Sequence, residues 1–201
     1  MKNKSFFLKL PFLVLILIFF VPLETLSQSA IVPINITVNG TLTISDANND
    51  VKSGKDPTLN VNLTITPDLG ASGSIGGASF RIRTNRPNWR LTTQRTQEID
   101  TGPTNIVAMD VVLVISTQAG SNANATAGTL VAPFNASTDL NSVPISSPVT
   151  VVNGTAKTSS ARDSTNTNNY FQVNTLYGIA PDFFFQPGTW KTTITYNLVS
   201  P

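Results

Sequence analysis

The chain has 201 residues, contains no cysteine and no histidine, and carries 13 Lys and Arg against 11 Asp and Glu. Disulfides, thiolate chemistry, histidine metal sites and any catalytic triad or dyad that needs imidazole are therefore excluded. Only 12% of the residues are charged and 40% are hydrophobic, whereas an average protein has about 25% charged residues. A chain of this length can bury a core of its own as one domain or two small ones.

Residues 1–29 predict a secretory signal peptide. Three lysines begin the segment, residues 10–21 form an apolar run, and Ser27 and Ser29 precede the expected cleavage before Ala30. The apolar run is too short for a membrane-spanning helix, which needs about 20 residues; an uncleaved anchor or a buried helix is the alternative. No later apolar run is long enough to predict a membrane span. We therefore expect a secreted, extracellular protein without stable membrane insertion after cleavage.

The leader also accounts for the net charge. It contains three lysines and one glutamate, so residues 30–201 carry ten basic and ten acidic side chains. A net charge of zero gives no electrostatic support for binding to nucleic acid or to an acidic membrane. We expect no nucleic-acid partner.

Residues 30–201 show the period-two alternation of β-strands, and no stretch has capped helical spacing. The predicted strands are 34–38 and 42–44 around a hairpin turn at Asn39-Gly40, then 59–65, 80–82, 89–91, 106–115, 149–152, 170–173, 176–179 and 190–198. The nearly continuous apolar run 106–115 also fits a buried helix, and its β-branched residues favour the strand. Segments rich in Ser, Thr, Asn and Gly predict loops at 45–57, 68–78, 117–129 and 157–169. We predict one all-β domain over residues 30–201, a β-sandwich or open barrel of about eight to ten mostly antiparallel strands.

Two short motifs suggest ligand loops and both are incomplete. Asp46 to Asp50 has oxygen side chains at alternate positions, as at the start of a calcium loop, but Val51 and Pro57 replace the required Gly and Glu. The glycine-rich stretch 70–77 lacks both the spacing and the Lys-Ser/Thr of a phosphate loop. An acidic surface turn and a flexible loop are the favoured interpretations, and no metal or other cofactor is expected.

A catalytic site also finds little support. The ten acidic residues of 30–201 are scattered through turn-like segments, and acid–base catalysis needs a base or a carboxylate pair held close together. Two aspartates from distant loops could converge as in a glycosidase. We nevertheless predict that the protein is not an enzyme.

Half of the positive charge of residues 30–201 lies within fifteen residues, at Arg81, Arg83, Arg86, Arg90 and Arg95. Trp89 stands among these arginines, so a basic and aromatic patch that binds an anionic polymer is one interpretation. We take Arg81, Arg83 and Arg90 as candidate binding residues. The alternative is an ordinary polar strand face whose cations pair with Glu98 and Asp100.

Two further motifs resemble a known family. Asn88-Trp-Arg-Leu91 is similar to the first W-x-L motif of the WxL domains, secreted all-β modules of bacterial surfaces. Pro187-Gly-Thr leads into a closing alternating run in which Tyr196-Asn-Leu198 holds the second motif's place, with Tyr instead of Trp. The resemblance implies noncovalent attachment to the cell envelope, commonly ascribed to peptidoglycan, often within a multi-protein surface complex.

The resemblance makes Trp89, Leu91, Tyr196 and Leu198 candidate binding residues, although core packing is the alternative for alternating strand residues. Two functions follow. The first is a noncatalytic, WxL-like envelope module that binds cell-wall polysaccharide or a surface protein. The second is a structural subunit of a surface fibre or coat, in which the first strand (31–38) or the last (191–198) adds to a neighbouring subunit's sheet.

Overall fold

A computed structural model describes residues 33–201, so the predicted signal peptide lies outside the described residues. Residues 39–201 form one compact unit, and residues 33–38 belong to no strand or helix. The strands are β1 (Leu42–Asp46), β2 (Ser74–Thr84), β3 (Trp89–Arg95), β4 (Ile99–Thr101), β5 (Val111–Ala119), β6 (Gly128–Leu130), β7 (Thr138–Asp139), β8 (Val149–Gly154), β9 (Phe171–Ile179), β10 (Thr189–Lys191) and β11 (Ile194–Val199). Single 3-10 turns occur at Lys52–Gly54, Ala108–Asp110 and Leu140–Ser142. Across the described part of the chain, no helix has the length and apolar character needed to cross a membrane.

The strands form antiparallel sheets that pack together without closing into a barrel. One sheet has the order β1-β2-β9-β5-β7, a second has the order β11-β3-β8-β6, and β10 pairs with β4. The predicted all-β, sandwich-like fold is thus confirmed.

One hydrophobic core joins the two large sheets. Strand alternation points every second side chain inward, and the fully buried ones come from both sheets; they include Ile82, Leu113 and Val173 from the first and Trp89, Leu91 and Val152 from the second. Burial of each such side chain contributes roughly 1.5–3 kcal/mol. The core is therefore a large contribution to the stability of the fold.

Two of the predicted strand boundaries are wrong. The runs at 170–173 and 176–179 form one continuous strand, β9, because Thr175 continues the ladder and its hydroxyl donates to the carbonyl of Ala78 at 3.0 Å. The closing run 190–198 instead divides into β10 and β11. Its central Thr192 and Thr193 hydrogen-bond to Thr96, which interrupts the alternation.

The glycine-rich stretch is also not the loop that its composition predicts, because β2 begins at Ser74 and includes Gly76 and Gly77. A Cβ atom at Gly76 would lie 2.9 Å from Val61 Cγ1 and 3.0 Å from Leu63 Cδ2. Glycine here lets another chain segment approach the strand closely. These glycines therefore reflect close packing against the strand, and they do not interrupt it.

The predicted hairpin at Asn39-Gly40 does not form, since residues 33–41 belong to no strand and β1 pairs with β2. A type I′ turn needs positive φ at both central residues, and neither residue has it. Instead, the Asn85 side chain accepts the N–H of Thr41 at 2.8 Å and donates to the carbonyl of Asn39 at 2.8 Å. The guanidinium of Arg86 lies against Gly40.

The apolar run 106–115 starts as loop and becomes β5 only at Val111. Ala108–Asp110 form a 3-10 turn, whose Asp110 carboxylate accepts the N–H of Val107 at 2.8 Å. The carboxylate satisfies the turn's backbone locally, so the strand begins after it.

Candidate functional site

Trp89 lies in the core. It begins β3, only 1% of its surface is exposed, and its indole N–H donates to the carbonyl of Ala156 at 2.8 Å. A Cβ atom at Gly154 would lie 2.1 Å from the indole ring, and one at Gly128 would lie 2.8 Å from it. The ring also meets Phe171 edge-on, with 5.9 Å between ring centroids. Two glycines on neighbouring strands therefore make room for this side chain, and the indole presents almost no surface to a ligand.

The other motif residues also face inward. Leu91 is fully buried, and it stands opposite Leu198 in the ladder between β3 and β11. The Tyr196 ring packs 5.1 Å from the Phe80 ring, and its hydroxyl lies 3.2 Å from that of Tyr177. Burial raises the pKa of Tyr196 well above its usual value. The structure thus brings all four residues to two adjacent strands, with their side chains on the core face.

Arg81 and Arg83 converge on Asp50, from the turn that resembles a calcium loop. Both oxygens of Asp50 accept hydrogen bonds from Arg83 at 2.6 Å, and Oδ2 also accepts one from Arg81 at 2.8 Å. The Arg81 guanidinium stacks 3.9 Å from the centre of the Tyr170 ring. Burial opposes ionisation of Asp50, but hydrogen bonds from Arg83, Ser45 and Arg81 outweigh it and lower its pKa to about 2. This arrangement neutralises charge within the protein.

The remaining arginines do not join that cluster. Arg95 is buried, pairs with Glu98 and donates to the carbonyl of Leu140 at 3.2 Å. Arg86 lies against Gly40, and Arg90 is exposed on the outer face of β3. The five arginines therefore lie in separate environments. Among the three candidate binding arginines, Arg90 alone makes no ion pair within residues 33–201.

The acidic side chains of the calcium-like turn already have partners within the protein. Asp50 is occupied by arginine, and Asp46 accepts the N–H of Asn48 at 2.8 Å. No group of three acidic side chains with metal-binding spacing exists within the described residues. The turn that we predicted to be an acidic surface turn is thus joined to β2 by the ion pairs of Asp50.

The sheet edges differ in how well they are protected. In the first sheet, β1 ends in Asp46 and is bridged to Lys55, and β7 has two residues. In the second sheet, β6 has three residues. The other edge, β11, has six uncharged residues and pairs only with β3 among the described strands. Natural proteins usually block such an edge with charge, proline or a cover.

Residues 57–66 alternate apolar and polar side chains as a strand does, but they belong to none of the described sheets. Leu59, Val61, Leu63 and Ile65 are half-buried against the core, and the residues between them are exposed. The pattern matches the predicted strand 59–65, but these residues have no ladder partner in the described part of the chain. From their backbone, the N–H of Thr64 alone makes a described hydrogen bond, to Ser74 Oγ at 3.1 Å.

The arm, residues 33–38, exposes an apolar face. Ile34, Ile36 and Val38 are 80%, 82% and 78% exposed. The intervening Asn35 and Thr37 are also exposed. No residue of the arm takes part in a strand or in a described hydrogen bond. Large exposed apolar patches on proteins often take part in interactions.

Comparison with protein-family models, with curated proteins and with solved structures gives no match. The resemblance to the WxL domain, the export of the chain and its noncatalytic nature remain predictions.

Proposed function

We propose that the protein is an exported, noncatalytic structural subunit of a surface fibre or coat, and that the arm of one copy adds as a β-strand to another copy. The observation that carries this proposal is the arm itself, whose three apolar side chains alternate with polar ones and are about 80% exposed. Each would gain roughly 1.5–3 kcal/mol if another molecule buried it. The leader predicted at residues 1–29 supports export.

The chemistry of the arm fits strand addition rather than attachment to a charged polymer. Residues 33–45 contain no charged side chain. The arm therefore offers main-chain hydrogen bonds and alternate apolar side chains, which are the two components of β-strand addition. Fully paired backbone groups would replace groups that are solvated in a single copy.

The test replaces the apolar face of the arm. In Ile34→Ser/Ile36→Ser/Val38→Ser, we expect the concentration for half-assembly to rise at least tenfold, measured by size-exclusion chromatography with light scattering. The matched control is Asn35→Ser/Thr37→Ser/Asn39→Ser, which changes the polar face and should assemble like the natural chain. Equal assembly of both variants would refute the role of the arm.

A second candidate is WxL-like binding to cell-wall polysaccharide or a surface protein. The pairing of Leu91 with Leu198, which places the two motifs side by side, favours it. Because Trp89 and Leu91 are buried, contact with the polymer would fall to outward residues of the same strands, Arg90 and Asn197. Sedimentation with isolated cell walls at high salt tests this function. Retention that falls in Arg90→Ala/Asn197→Ala would support it, and no retention would exclude it.

A further inference from the structure

Residues 57–66 resemble a strand, yet almost no hydrogen bonds join their backbone to the rest of the described chain. Residues 57–66 have strand alternation and an inward apolar face, but their backbone makes a single described hydrogen bond. Extended backbone normally satisfies its N–H and C=O groups in a ladder. The position of this segment is set by its side chains, since Val61 and Leu63 rest on Gly76 of β2.

We propose that residues 57–66 are the acceptor to which the arm of a second copy pairs. This inference rests on the proposed function and names the surface that the arm occupies. In the pair, the apolar side chains of the arm turn toward the core of the acceptor copy, next to those of residues 59–65. The main chains of the two segments form the missing ladder.

Length, pattern and charge favour this match. The arm spans six residues and the acceptor ten, and both alternate apolar and polar side chains with period two. Neither segment contains a charged residue, so no ion has to be desolvated on pairing. Pro57 and Pro67 bound the acceptor and limit the register, since proline cannot donate to a ladder.

The edge of β11 is the competing acceptor. It is uncharged and six residues long, but it already has the ladder to β3 on one side. Residues 57–66 lack a ladder on both sides within the described chain. The larger deficit of backbone hydrogen bonds is the reason to place the arm on residues 57–66.

Engineered disulfides distinguish the two acceptors, because the natural chain has no cysteine. A copy with Thr37→Cys is mixed with copies that carry one cysteine on the exposed face of the acceptor, at Thr58, Asn60, Asn62, Thr64 or Thr66. Parallel mixtures use Thr195→Cys or Asn197→Cys in β11. Paired strands bring opposite residues within disulfide distance. We expect cross-links at one or two adjacent acceptor positions, at least tenfold above those at β11.

Cross-links mainly at β11, or equally at every position, would overturn the acceptor assignment and leave the proposed function standing. If the natural chain shows no self-assembly at all, the proposed function and this inference both fail. The two failures are therefore separate results.

A proline variant gives an independent readout. Asn62→Pro removes a backbone N–H that makes no hydrogen bond within the described chain. We expect at least a tenfold higher concentration for half-assembly and an unchanged melting temperature of the single copy. The control, Asn62→Ser, keeps the N–H and should assemble normally. Assembly of Asn62→Pro at the natural concentration would contradict the inference.

Discussion

The sequence suggested that Trp89 binds a ligand, whereas in the structure its side chain packs in the core. Its side chain fills the space that Gly154 and Gly128 leave open on β8 and β6. Tryptophan in a short motif of a surface protein suggests ligand binding. At an inward-facing strand position, however, the same residue is a large core side chain. The glycines at 128 and 154 are the partners that the sequence alone does not connect to it.

Gly154→Ala should destabilise the protein by about 3 kcal/mol, because its Cβ would overlap the Trp89 ring and the core would have to rearrange. Gly178→Ala on β9 is the matched control, since the nearest atom to its Cβ would be 3.7 Å away. Urea unfolding followed by tryptophan fluorescence measures both. Similar losses in the two variants would contradict the packing role of Gly154.

Asp50 makes stability depend on pH. Its pKa falls from the ordinary value of 3.8 to about 2 in the folded protein. A lowered folded-state pKa contributes stability that is present above pH 3.8 and is lost as the pH falls toward 2. Asp163, whose hydrogen bonds to the backbone of Asn168 and to Thr165 also lower its pKa to about 2, acts in the same window.

We expect Asp50→Asn to reduce the decline in unfolding free energy between pH 4 and pH 2 by about 1 kcal/mol, after allowance for screening by solvent. Urea unfolding across this range provides the measurement. Because Asp163 still titrates, part of the decline should remain. An identical pH dependence in the variant and the natural chain would show that Asp50 is not the main contributor.

At the scale of elements, alternation predicted most strands and missed those that depend on distant partners. The strands β4, β6 and β7 have only two or three residues and no pattern of their own. Likewise, the pairing of Asp50 with Arg81 and Arg83 spans 31 and 33 residues. Such contacts arise from the packing of sheets, which a single sequence does not specify.

Gly76→Ala should loosen residues 57–66 rather than the whole molecule, because the added Cβ would displace Val61 and Leu63. We expect faster chymotrypsin cleavage after Leu59 and Leu63 in the arm-deleted protein, with cleavage elsewhere unchanged. Gly178→Ala again serves as the control. Unchanged protection of the segment would mean that Gly76 is not its support.

Over the whole molecule, the balanced charge is consistent with the proposed assembly. Residues 30–201 carry ten positive and ten negative side chains, and the arm and acceptor carry none. Assembly driven by apolar burial and main-chain hydrogen bonds should depend little on ionic strength. We expect the half-assembly concentration to change less than twofold between 50 and 500 mM NaCl. A tenfold or greater rise in the half-assembly concentration at the higher salt would instead indicate an interface held by opposite charges, because salt screens their attraction.

Deletion of the arm tests whether the arm drives assembly. The purified exported protein and a variant lacking residues 30–38 are compared by sedimentation velocity over a range of concentrations. Residues 39–201 contain the whole described core, so the shorter chain should stay folded. We expect large species that grow with concentration for the natural chain and a single small species for the variant. Identical size distributions for the two proteins would contradict this expectation.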